Sequence, residues 1–220
     1  MTRIDAHIHS RFSDGLNAPR EIVELAVSRR FDSICIADHV SRDTEWLDDF
    51  LKEIEMLKNE FEGRIEILAG LEVEVLDMKG KLDVDPIRVS SADLVLASFH
   101  MIPSQDGYMG KDSIGRDKAT AIENWFYSMK AVLKGKQADI IAHPGFILKS
   151  NGIEVPIYVK EELATLARRS GMMFEHNRKY EVPDEEFLSL LRAEGVKILP
   201  GSDAHNLVEL DEMWRSWPDI

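Results

Sequence analysis

The amino-acid sequence predicts an α/β fold in which about seven β-α units wrap around one parallel sheet. Short apolar runs alternate with longer amphipathic ones along the chain. The short runs are rich in Ile, Val, Leu and Ala, as strands buried on both faces should be. Proline, glycine and acidic residues punctuate the junctions between the two kinds of segment. In chain order the predicted strands cover residues 3–9, 33–38, 65–73, 93–99, 138–143, 172–177 and 196–201, and the clearest helices cover 18–29, 44–61, 118–134, 159–170 and 184–194. Pro183 followed by Asp184, Glu185 and Glu186 puts proline and acids where a helix start favours them. Gly171 and Gly195 each follow a helix and precede a strand, positions where a left-handed cap suits glycine. The connection from Pro103 to Gly115 exceeds the usual length and reads as a long loop, of the kind that is often functional or mobile.

A chain of 220 residues with 44% hydrophobic content can fill one core, so a single domain spanning 1–220 is expected. No apolar run approaches the roughly 18 residues that span a bilayer, and Met1-Thr2-Arg3-Ile4-Asp5 enters a strand pattern without a signal-peptide core. A cytoplasmic protein without membrane contact is the expectation. Cys35, the single cysteine, lies in the apolar run Ile34-Cys35-Ile36-Ala37 and is expected to pack as a small hydrophobe. A formal charge of −13 opposes general affinity for nucleic acid or anionic membrane, since phosphate backbones are held mainly by Lys and Arg.

Polar residues collect where a parallel barrel places its chemistry, at strand C-termini and in the loops that follow. His7 and His9 end the first strand, His39 the second, Glu72 lies late in the third, His100 ends the fourth and His143 the fifth. Glu175 and Asn177 end the sixth, and Asp203 and His205 follow the seventh. Side chains two apart on a strand point the same way, so His7 and His9 share a centre. His176, between Glu175 and Asn177, is expected to face away. Imidazoles with carboxylates suit Zn, Mn or Fe, and a carboxylate such as Glu72 can bridge two ions. The ligands outnumber what one ion needs.

These residues also form motifs. Asp5-Ala6-His7-Ile8-His9-Ser10 with Phe12-Ser13-Asp14-Gly15, Ile36-Ala37-Asp38-His39, Gly70-Leu71-Glu72, Ser98-Phe99-His100, Ala142-His143-Pro144 and Gly201-Ser202-Asp203-Ala204-His205 occur in an order that resembles the polymerase and histidinol phosphatase (PHP) superfamily. The resemblance implies a distorted (β/α)7 barrel carrying two or three divalent ions. It implies one ion at His7, His9, Glu72 and Asp203, a second at Asp14, His39 and His205, and a third at Glu72, His100 and His143. Asp14 departs from relatives that place a histidine near this point. Asp5 and Asp38 read as acceptors that orient ligating imidazoles, while Glu74 lies further out and is not assigned.

The resulting expectation is phosphoester hydrolysis by a metal-activated hydroxide, with Glu72 and Asp203 as the catalytic carboxylates and Asp203 or a metal-bound water as proton donor. Arg178 and Asn177, just after the sixth strand, are the expected phosphate contacts, with Lys111 and Arg116 a second choice. A small phosphomonoester, as for histidinol phosphatases, is favoured as substrate by the acidic charge. The alternatives are a nucleotide phosphodiesterase or exonuclease, with nucleic acid entering only as a nucleotide or short oligonucleotide, and a metal-binding domain without activity.

Overall fold

The computed structural model describes residues 2–217. Seven parallel strands form one sheet in the order β1 (Ile4–Ile8), β2 (Ser33–Val40), β3 (Glu66–Glu74), β4 (Leu94–Ser98), β7 (Ile140–Ile141), β8 (Met173–Asn177) and β9 (Ile198–Gly201). A short antiparallel hairpin, β5 (Pro103–Ser104) with β6 (Gly107–Tyr108), stands apart. The helices are α1 (Pro19–Ser28), α2 (Leu47–Glu60), α3 (Pro86–Val89), α4 (Lys111–Arg116), α5 (Lys118–Gly135), α6 (Phe146–Lys149), α7 (Ile157–Ser170), α8 (Glu185–Ala193) and α9 (Leu207–Arg215). Every predicted strand is present within a few residues of its expected bounds. The sheet curls until β9 meets β1 through a parallel bridge between Ile8 and Ala204, with Asp203 N–H on His7 O at 2.7 Å and His9 N–H on Ala204 O at 3.0 Å. The sheet is therefore a nearly closed seven-stranded barrel. Among the described residues no helix is long and apolar enough to cross a membrane.

Alternation along the strands sorts side chains into two cores. Outward-facing Ile34, Ile36, Ile67, Leu71, Val73 and Phe174 pack under the helices beside Phe50, Ile54, Trp125 and Leu163. The lumen holds smaller groups, Ala6, Cys35, Ala37 and Ala142, with Leu96, Ile140 and Leu199. Cys35 thus packs as a small hydrophobe, and burial pushes its thiol far up. Space is tight: a Cβ on Gly201 would meet His7 Cβ at 2.9 Å and the Glu175 carboxylate closer still.

Two expectations need correction. The stretch 103–115 is not a bare loop, because it folds into the β5–β6 hairpin and most of α4, whose Ile114 is buried. Asp5 and Asp38 do not touch the imidazole rings. Pairing of β1 with β2 slips between Asp5 and Ile8, so Ala6 enters the lumen while Ile8 packs outside. Asp5 instead accepts from Trp214 Nε1 at 2.7 Å, Ser202 N–H at 3.0 Å and His7 N–H at 3.2 Å. Burial raises its pKa to about 6 despite those bonds. Asp38 accepts from Ser10 N–H at 2.8 Å and from the Ser10 and Ser13 hydroxyls, which fixes the turn after β1.

Candidate metal centre

Above the apolar plug, at the C-terminal mouth, the lumen turns polar. His7, His9, His39, Glu72, His100, His143 and Asp203 converge there from β1, β2, β3, β4 and the segments after β7 and β9, and Asp14 and His205 complete the rim. Glu72 is the centre. Its Oε2 lies 3.3 Å from His7 Nε2, 3.4 Å from His9 Nε2 and 3.0 Å from His39 Nδ1, while its Oε1 lies 2.8 Å from His143 Nε2 and 3.4 Å from His100 Nε2. Three groups bring their ligand atoms within 4.8 Å of one another: His7, His9 and Glu72; His9, Asp14, His39 and His205; and His39, Glu72 and His100. All nine residues expected as ligands are therefore gathered at one mouth, and Glu72 offers one oxygen to each of two imidazole sets.

Buried polar atoms are normally satisfied, and orphans ask for an explanation. His7 Nε2, both ring nitrogens of His9 and Glu72 Oε2 are buried without a hydrogen-bond partner. The nearby nitrogens around Glu72 Oε2 are not aligned to donate to it. Stranding imidazole and carboxylate atoms in this way is costly unless a cation completes them, and nitrogen with oxygen donors at this spacing fits a divalent metal.

Backbone geometry helps aim the ligands. Ala142 faces the lumen, so regular alternation would send His143 outward. Its φ of 26° bends the chain instead, and the ring turns in to Glu72; Asp203 also has a positive φ, 53°. Such values are uncommon for residues with side chains and gather at functional sites. Further carboxylates hold the rings: Glu175 lies 3.2 Å from His7 Nδ1 and accepts from His143 N–H at 2.5 Å, and Glu74 lies 2.7 Å from His100 Nδ1. His205 Nδ1 is held by Asp203 O at 2.9 Å, leaving Nε2 toward Asp14 at 3.3 Å. Glu74 and Glu175 are ring-orienting residues that the sequence reading left unassigned. Strand parity carried the signal, since Glu74 shares its face with Glu72, and Glu175 with Asn177.

Electrostatics follow the same pattern. Burial pulls the His7 imidazole down, yet Glu175 and Glu72 reverse this and hold it well above its usual range. His39 and His143 are also raised by Glu72 against the effect of burial. Glu72 is held well below the usual carboxylate range: burial opposes ionisation, but His7, His143 and His39 outweigh it. Asp203 is likewise held low against burial, by the His9 imidazole 3.5 Å away and then by the charges of His7 and His143.

The expected phosphate contacts fare differently. Asn177 is fully buried and its Nδ2 is committed to Glu175 at 3.0 Å and Asp203 at 3.1 Å, so it holds these carboxylates instead of reaching out. Arg178 is exposed and lines a separate hollow with Lys149, His176 and Glu185, on the face that parity assigns to His176. The structure does not bring it to the ligand set. Lys179 comes there instead: its Nζ donates to Asp203 O at 3.0 Å and pairs with Glu209 at 3.1 Å. Lys111 and Arg116 are exposed on α4, where Arg116 faces Asp112. Beside His39 and His100, Ser41, Thr44, Asp83 and Ser98 line a hollow of about 220 Å³ that reaches Glu72, and the Ser98 hydroxyl is buried without a partner.

The model of the PHP domain family matches residues 5–180. The chain belongs to the PHP domain family. This PHP-domain chain is 32% identical over 220 residues to the DNA polymerase/3'-5' exonuclease PolX of Bacillus subtilis (strain 168), across 95% of this chain and 35% of PolX, so it spans about a third of that enzyme. It is 28% identical over 209 residues to a candidate phosphatase of Thermoanaerobacter sp. (strain X514), across 92% of this chain and 78% of that one. Its fold is similar to a candidate histidinol phosphatase of Listeria monocytogenes, with a TM-score of 0.76 at 15% identity over 98% of this chain and 100% of the other. The Lactococcus lactis histidinol phosphate phosphatase, crystallised with zinc, L-histidinol and phosphate, superposes with a TM-score of 0.66 at 18% identity over 97% and 93%.

Proposed function

We propose that residues 1–220 act as one catalytic unit, a metal-dependent phosphoesterase that hydrolyses small phosphomonoesters in the manner of histidinol phosphatases. The observation that carries this reading is Glu72, a buried carboxylate whose two oxygens face two sets of imidazoles with orphaned nitrogens. His7, His9, Asp14, His39, Glu72, His100, His143, Asp203 and His205 would hold two or three divalent ions of the Zn, Mn or Fe kind. Such ions supply Lewis acidity, which acidifies water and offsets the charge of a phosphoryl group.

The chain's own residues do the rest. Glu175 and Glu74 fix the His7 and His100 rings, and the Asn177 amide holds Asp203. Asp203 is held ionised by its neighbouring imidazoles, which suits a metal ligand. Lys179 places a cation at the rim on the Asp203 side. The hollow beside His39 and His100, lined by hydroxyls and Asp83, has room for a small polar alcohol.

The similarity to PolX favours a second reading, a nucleotide phosphodiesterase or exonuclease. Phosphate release from phosphomonoesters, diesters and short oligonucleotides, each with Zn, Mn or Fe and with chelator, separates the two. Metal-dependent release from monoesters alone is expected. Preference for oligonucleotide ends would install the second reading, and no release from any substrate would leave a metal-binding domain without activity.

A further inference from the structure

The loop after β8 is locked at every turn. Asn177 N–H donates to Val182 O at 2.8 Å and Val182 N–H returns to Asn177 O at 3.3 Å. Tyr180 N–H donates to Asn177 Oδ1 at 3.0 Å, and Lys149 Nζ donates to Tyr180 O at 2.7 Å and Glu181 O at 3.1 Å. Glu181 takes a φ of 52°, a left-handed conformation that a side-chain-bearing residue keeps only when its surroundings impose it. Asn177 Nδ2 ties the same loop to Asp203.

What this loop presents is Tyr180. Its ring stacks on Phe146, centroids 3.9 Å apart, and both rings stand edge-on to the His143 imidazole, Phe146 at 5.6 Å and Tyr180 at 6.3 Å. Lys179 Nζ, which donates to Asp203 O, lies 5.6 Å from the Tyr180 ring centroid, so with His143 as its other contact the ring sits on the ligand-cluster side. The phenol is half-buried and makes no hydrogen bond to any described residue. A tyrosine so placed usually finds a partner for its hydroxyl, and a fixed ring loses little freedom in binding one.

We infer that Tyr180 is a substrate-binding residue whose phenol O–H donates to a phosphoryl oxygen above the metal centre, with Phe146 and the locked loop holding the ring for that contact. The inference rests on the phosphoesterase reading and adds to it a residue outside the ligand set. A neutral donor to an anionic oxygen makes a charge-assisted bond, stronger than a neutral pair.

The test uses the whole chain loaded with Mn, wild type beside Tyr180→Phe, which keeps the stacked ring and removes only the hydroxyl. Calorimetric titration with inorganic phosphate is expected to show affinity weakened about ten-fold in the variant. Metal content and melting temperature should stay unchanged. Phe146→Leu, which keeps the hydroxyl and frees the ring, should weaken phosphate binding by less. Equal affinity of wild type and Tyr180→Phe overturns the inference, as does a wild type that binds no phosphate. Weakened binding in Tyr180→Phe beside a wild type that hydrolyses no phosphomonoester would uphold the phosphate contact and sink the proposed activity alone.

Discussion

His7, His9, Glu72, His143 and Asp203 are at most 4% exposed, whereas the side chains of Asp14, His39, His100 and His205 are 24–56% exposed. The inner five come from strand ends and adjoining turns packed against the apolar plug. The outer four sit at the rim, where water can replace any missing partner. An ion among the inner ligands would relieve buried orphans, so its binding energy is in part folding energy. An ion at the rim relieves little. On the proposed reading, the difference teaches that the inner ligands would form an integral subsite and the rim an exchangeable one, with Glu72 shared between them.

Removing the shared residue should do the most damage. Glu72→Ala is expected to lose ions from both halves and to slow phosphomonoester hydrolysis by about a thousand-fold, the several kcal/mol that metal chemistry supplies. Steady-state kinetics beside elemental analysis checks this; a variant that keeps its full metal content and rate would show that Glu72 bridges nothing.

The orienting carboxylates can separate the halves. Glu175→Gln disturbs His7 and the turn at His143, and Glu74→Gln disturbs His100 and the Met101 N–H beside it. Each should cost roughly 10- to 100-fold in metal affinity at its own subsite. In competition with a chelator, Glu175→Gln should release the tightly held ion and lower the melting temperature, and Glu74→Gln should leave the melting temperature alone. Identical behaviour of the two variants would erase the distinction.

Acid should act through the imidazoles. His7, His39 and His143 hold protons more tightly than a free imidazole, and each must lose its proton to ligate a metal. Because these values are raised, the ligating forms are lost as pH falls, starting above the ordinary imidazole range. Mn affinity should drop about ten-fold per pH unit for each proton displaced below that onset. Titrations at several pH values that superpose would contradict the assigned ligands.

The smallest effect belongs to Arg178→Ala. Its side chain shares a hollow with His176 and not with the ligands, so kcat/KM for phosphomonoesters should stay within about two-fold, the range of a surface substitution. A ten-fold loss would return Arg178 to the phosphate site.

The same contrast explains what the sequence could tell. The strands and the gathering of the candidate ligands were legible because burial on both faces leaves apolar runs, and because strand ends at one mouth collect the polar residues. Arg178 was legible too, by parity with His176, but proximity in sequence to Asn177 outweighed it. The turn of Asp5 away from the imidazoles was not, since it depends on a slip in β1–β2 pairing, and His143 reaches the mouth as expected but by a positive φ rather than by strand alternation; neither device leaves a periodic trace. Asn177 looked available for substrate because only the closed barrel brings Asp203, 26 residues on, within reach of its amide.

Elemental analysis of the wild-type chain prepared without chelator, followed by stepwise chelator competition, tests the shared two-part centre most directly. The account predicts two or three divalent ions per chain, lost in two steps, the first with unchanged melting temperature and the second with a fall in it. A single ion, or release of all ions in one step, would contradict it.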